Sequence, residues 1–128
     1  MKAIVREWVA RAEDEYVVAQ RELRARKSPS YNASCFHAQQ CAEKYLKALL
    51  QFNGMPFPKT HNLEKLLDLL PQDVTWLALR ARAIPLSLYA VEVRYPGTDM
   101  TKAQAQVALK VCREIRSHAR TLLRLPIK

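Results

Sequence analysis

Three stretches of this chain, roughly residues 4–26, 32–52 and 101–124, place apolar residues at every third or fourth position, and that period commits most of its 128 residues to amphipathic helices. Ile4, Trp8, Ala12, Tyr16, Ala19 and Leu23 mark the first stripe, and Cys35, Ala38, Ala42, Leu46 and Leu49 the second. In the last, Ala108, Cys112, Ile115, Ala119 and Leu122 follow the alternating spacing of a bundle seam. Asn32 or Ser30 can cap the second helix, which Asn53-Gly54 and Pro56 stop. A short third helix is expected from Thr60 or Asn62, with Glu64 in its first turn, Leu63, Leu66, Leu67 and Leu70 inward, and Pro71 at its end. A further amphipathic piece covers residues 73–82; helical spacing resumes at Leu86, Tyr89, Ala90 and Val93, with a kink or short break expected at Pro85. The segment from Arg94 to Asp99 has turn chemistry throughout. Only 2 glycines stand against 7 prolines, a poor supply for hairpin turns, which disfavours an all-β fold. The expectation is one all-α domain over residues 1–128, an antiparallel up-and-down helical bundle of about five helices.

Cys35, Cys41 and Cys112 are odd in number and lack the spacing of zinc ribbons or redox pairs, so they read as reduced thiols. His37 and Cys41 lie four apart and could share a metal, yet no further ligand spacing completes such a site, and no metal or cofactor is expected. Charge enters by Lys2 and Arg6, too early for a signal peptide, and no long uncharged apolar run occurs. A cytoplasmic protein without a membrane span is the expectation.

The net charge of +9 favours anionic partners, and much of it falls late, on Lys102, Lys110, Arg113, Arg116, Arg120, Arg124 and Lys128 against Glu114 alone. Arg113, Arg116, Arg120 and Arg124 cluster on one side of the last helix, away from its seam. Such a stripe is either a solvated face or a track for a phosphate backbone. On the second helix His37, Gln40 and Lys44 share a sector opposite the apolar stripe, while Glu43 and Lys47 form a favourable pair one turn apart. That sector is an exposed face or a ligand surface. His61 stands before the third helix, where it either donates to a loop carbonyl or takes part in chemistry. Arg94 and Tyr95, with Gln40 and Lys44, are a candidate anion site, against the alternative that Arg94 pairs with Glu43 or Glu92. No nucleophile elbow or glycine-rich phosphate loop is present.

Tyr31, the run Cys35-Phe36-His37-Ala38-Gln39-Gln40-Cys41-Ala42-Glu43-Lys44-Tyr45-Leu46-Lys47-Ala48-Leu49-Leu50, then Lys59-Thr60-His61-Asn62-Leu63 and Glu92-Val93-Arg94-Tyr95-Pro96-Gly97 resemble a HEPN-domain protein over nearly the whole chain. The resemblance implies an antiparallel bundle, usually a homodimer, in a nucleotide-binding family. Many small prokaryotic members pair with a minimal nucleotidyltransferase as toxin and antitoxin, and catalytic members are metal-independent ribonucleases. Those ribonucleases carry an arginine, four to six spacer residues and then a histidine near the start of the last long helix, with two copies meeting across a dimer. Arg94 lies near that region, but Tyr95-Pro96-Gly97 follow it and no histidine comes within reach. Arg113 and His118 satisfy the spacing in mid-helix, although a regular helix sets them about 140° apart. The expected function is non-catalytic binding of nucleotide or RNA beside a nucleotidyltransferase partner. An endoribonuclease using Arg113 and His118 and a structural helical dimerisation module are the alternatives.

Overall fold

The computed structural model describes residues 1–127 as five helices: α1 (Ala3–Arg24), α2 (Tyr31–Phe52), α3 (Leu63–Leu69), α4 (Val74–Glu92) and α5 (Lys102–Leu122). The long ones alternate in direction. Glu13 of α1 meets both Tyr45 of α2 and Arg116 of α5, while Asp73, just before α4, meets His118 near the end of α5. α2 and α5 therefore run parallel through the middle, flanked by α1 and α4 running the other way, with α3 on α2 and α4. The all-α up-and-down bundle is the observed fold. No helix of the described residues is long and apolar enough to cross a membrane.

Local chemistry sets the helix ends. Ser30 caps α2 by accepting from the Ala33 N–H, and Asn62 caps α3 by accepting from Lys65. Thr60, the alternative cap, instead accepts from the Asn62 N–H. Thr101 and Gln104 form a reciprocal capping box at α5. The four leucines expected on the inner face of α3 are all buried.

Several expectations need correction. Pro85 does not interrupt α4, which continues through it. Proline removes one N–H and crowds the turn before it, but Ala83, Leu86 and Ala90 are buried on both sides of it, and that packing keeps one helix. Ile4 is exposed and its neighbour Val5 is buried, because α1 begins at Ala3 and its first turn presents Val5 inward. Trp8 lies only half-buried against the Phe57 ring edge. At the other end Leu122 is 39% exposed while Leu123 is 2% exposed. Arg124 adopts a φ of 60°, so the chain leaves the helical path there and Leu123 turns inward.

Cys35, Cys41 and Cys112 are free and fully buried, and burial pushes the Cys35 thiol up to about 11. Among the described residues no His, Cys, Asp and Glu group could hold a metal ion.

α4 is apolar on two faces. Trp76, Leu79, Ala83, Leu86 and Ala90 face the core, whereas Val74 (83% exposed), Leu77 (59%), Ala81, Ile84, Leu88 (53%) and Val91 form a second stripe in solvent, with Tyr95 exposed in the turn just after the helix. Its spacing alternates three and four, the repeat of a helix–helix seam.

Candidate functional site

Half of the arginine stripe expected on α5, Arg116 and Arg120, is taken up inside the bundle. Arg116 is 4% exposed and holds Glu13 in a bidentate pair with one edge of its guanidinium, Nε to Oε2 at 2.7 Å and Nη2 to Oε1 at 2.9 Å. The group also stacks over the Tyr16 ring at 4.5 Å. Tyr45 donates its hydroxyl to Glu13, and Arg120 donates to the Tyr45 oxygen at 2.9 Å and to the Pro126 carbonyl at 2.6 Å. Arg113 donates from Nε to the Tyr16 hydroxyl at 2.9 Å. Of the four, Arg113 and Arg124 remain exposed. A phosphate track over all four is therefore excluded, since α1 covers the flank of the seam where Arg116 and Arg120 lie. Burial pushes the Glu13 carboxyl up, but the Arg116 and Tyr45 hydrogen bonds and the Arg116 and Arg120 charges together hold it below its ordinary 4.5.

The α2 sector also faces protein. His37 Nδ1 and Lys44 Nζ share the Glu15 carboxylate at 3.1 and 3.2 Å, and Gln40 donates to the Gln39 side chain at 2.7 Å. Arg94 stacks its guanidinium on Phe36 at 5.2 Å, with Tyr95 exposed beside it. Phe36 and Lys44 are eight positions apart, about 12 Å along the helix, so the turn after α4 delivers Arg94 two turns short of Lys44. The structure does not assemble the anion site expected from Arg94, Tyr95, Gln40 and Lys44, and among the described residues Arg94 forms no ion pair with Glu43 or Glu92.

His61 binds the Glu43 carboxylate through Nδ1 at 2.8 Å, rather than a loop carbonyl. Glu43 also takes Lys47 at 2.9 Å and Gln39 at 3.1 Å, and Gln39 donates to the His61 carbonyl at 3.0 Å. The Glu43–Lys47 pair, a surface pair by its spacing, is thus buried, and with His61 it fastens the loop before α3 to α2.

Arg113 and His118, which diverge on an isolated helix, line one groove of about 520 Å³ because α4 supplies the facing wall. Val74, Ala78, Leu79 and Arg82 come from α4, with Glu114 and Ser117 from α5, and Arg82 is ion-paired to Glu114 across it. His118 Nε2 lies 2.8 Å from Asp73 Oδ2, and its ring meets Trp76 edge-on at 4.5 Å. Asp73 simultaneously caps α4 by accepting from the Trp76 N–H at 2.7 Å. Burial pushes its carboxyl up, yet the Trp76 and His118 bonds bring it below 3.8. Asp73→Ala should cost about 1–2 kcal/mol in urea unfolding at neutral pH, and Asp73→Asn, which keeps the cap, much less. Because the folded carboxyl is the stronger acid, the charge-dependent part of that difference is present above pH 3.8 and fades as pH falls through the lower folded value.

Asp73, Trp76, Glu13, Tyr16 and Tyr45 lie outside the residues that the sequence marks for chemistry. Asp73 carries one usable signal, an acid three residues ahead of Trp76 at a helix start.

No curated protein matches the chain. Two solved structures share the fold: TT1696 from Thermus thermophilus, at 28% identity and TM-score 0.79, with 91% of this chain and 96% of that one covered; and ST0689, described as an archaeal HEPN homologue, at 25% identity and TM-score 0.76, with 96% and 99% covered. The HEPN domain model matches residues 5–122, and the chain belongs to the HEPN domain family.

Proposed function

We propose that this protein is a homodimeric nucleotide- or RNA-binding HEPN module that works beside a minimal nucleotidyltransferase in a toxin–antitoxin-like pair. The observation that supports binding is the α4–α5 groove. Its volume of about 520 Å³ lies within the range of small-molecule sites, its walls are largely apolar, and Arg82, Arg113 and Ser117 supply donors suited to a phosphate. The exposed α4 stripe runs beside it and supports pairing of two copies. Titration of wild type and Arg113→Ala with nucleoside monophosphates and a short RNA tests this reading, with affinity expected to fall about tenfold in the variant. Equal binding by both proteins would remove the groove from the proposal, and absence of binding by wild type would leave a structural dimerisation module. Co-purification of the two co-expressed proteins tests the nucleotidyltransferase pairing.

The Asp73–His118 pair favours a second reading, metal-independent RNA cleavage. A carboxylate on one imidazole nitrogen fixes the ring and its tautomer, as a general base requires, and Arg113 shares the groove. Under this reading RNA is cut in the presence of a chelator, His118→Ala abolishes cutting, and Asp73→Asn reduces it. Binding without cutting returns the first reading.

A further inference from the structure

At the other end of α5 a second concavity, of about 620 Å³, lies where the end of α1, the loop after it and the start of α5 meet. Arg24, Arg26 and Lys102 line it together with Tyr31 and Gln106. The three cations come from two separate parts of the chain, and each side chain is exposed. Among the described residues none of them is ion-paired or hydrogen-bonded through its side chain, and no acid lines the cavity.

The neighbouring carboxylates are engaged elsewhere. Glu22 accepts from the Ser30 N–H at 3.2 Å, and Asp99 accepts from the Asn32 amide at 3.3 Å. From Lys102 to Arg113 α5 contains no acid at all. Elsewhere in the molecule several cations take a carboxylate, as Arg80, Arg82, Arg116 and Lys47 do. Here like charges converge without one. Their mutual repulsion is relieved by an anion that spans them, and two guanidinium groups with an ammonium match the separated charges of linked phosphates. Tyr31, half-buried on the wall, offers a ring for a base attached to them.

We infer that this pocket is a phosphoanion site that engages more than one phosphate group at once, from a nucleoside triphosphate or from successive phosphates of an RNA strand. It stands apart from the α4–α5 groove. Gln106 and Arg113 are seven residues apart, about 10 Å along α5, and the two cavities share no lining residue, so the inference holds whether or not the groove binds nucleotide.

The test uses calorimetric titration with inorganic tripolyphosphate, ATP and a single-stranded RNA octamer. Wild type is compared with Arg26→Ala/Lys102→Ala and with Lys59→Ala/Lys65→Ala, which removes the same charge from exposed positions outside the pocket. Tripolyphosphate affinity should fall roughly tenfold or more in the first variant and change less than about twofold in the second. If ATP shows the same loss and RNA does not, the source is the free nucleotide. If RNA shows it, with a salt dependence shallower by up to two phosphate contacts, the source is a strand. Equal losses in the two variants would reduce the effect to overall charge and overturn the site. Wild type that does not take tripolyphosphate overturns it too, and Arg113→Ala, measured alongside, reports on the groove separately.

Discussion

Glu13→Ala is expected to lower the unfolding free energy by about 3 kcal/mol, a fall in midpoint temperature on the order of 10 °C for a domain of this size. The variant deletes the carboxylate that Arg116 holds through two parallel guanidinium bonds and leaves that cation enclosed between α1 and α5. Tyr45 loses the acceptor of its hydroxyl at the same time, and Arg120 the nearby charge it shares. Because Glu13 keeps about a third of its side chain in water, the expected cost sits at the low end for a broken buried pair. Glu13→Gln keeps a hydrogen-bonding oxygen and should lose less.

The same pair gives a pH signature. The folded Glu13 carboxyl is held below 4.5, so its ionic contribution is fully present above about pH 4.5 and is lost as pH falls through the lower folded value. Gln at this position has no such titration. The stability gap between wild type and Glu13→Gln, from urea unfolding, should therefore be constant from about pH 5 to 7 and shrink toward pH 3. A gap unchanged at pH 3 would mean that charge contributes nothing to the Glu13–Arg116 bond.

These contacts also show where sequence reading stops. Helix positions were legible because the apolar period is a property of one helix: Ala38, Ala42, Leu46, Cys112, Ile115 and Ala119 are all buried. A helical wheel, however, assumes one neighbour. α2 touches every other helix, so Glu43 and Lys47, which a wheel assigns to solvent, are enclosed and joined to each other. α5 has α2 on its seam and α1 on one flank, which is why Arg116 and Arg120 form an internal network rather than a surface stripe. The groove was unreadable for a different reason. Asp73 and His118 are distant in sequence, and Arg113 and His118 face one space only because α4 runs antiparallel beside them. The pocket of Arg24, Arg26 and Lys102 likewise needs α1 and α5 brought end to end.

The α4 stripe leads to the second large effect: Leu77→Glu combined with Leu88→Glu is expected to convert the proposed dimer to monomers and raise its dissociation constant by roughly a thousandfold or more. Val74, Leu77, Ala81, Ile84, Leu88, Val91 and Tyr95 repeat with alternating steps of three and four. On either side of Ile84 the stripe reaches Leu77 seven residues before and Val91 seven after, with Ala81 three before and Leu88 four after. An antiparallel copy thus sets Leu77 against Val91 and Ala81 against Leu88, the self-complementarity that a two-fold interface requires. The exposed side chains offer on the order of 600 Å² per copy, and two copies reach the low end of what a specific interface buries. Each glutamate would enter twice by symmetry, facing an apolar partner with no cation opposite. Both leucines are on the outer face, so the helical circular dichroism of the variant should match wild type while its sedimentation at micromolar concentration changes. A wild type that sediments as a monomer there would refute self-pairing, and a stripe this regular would then have to be covered by a different chain.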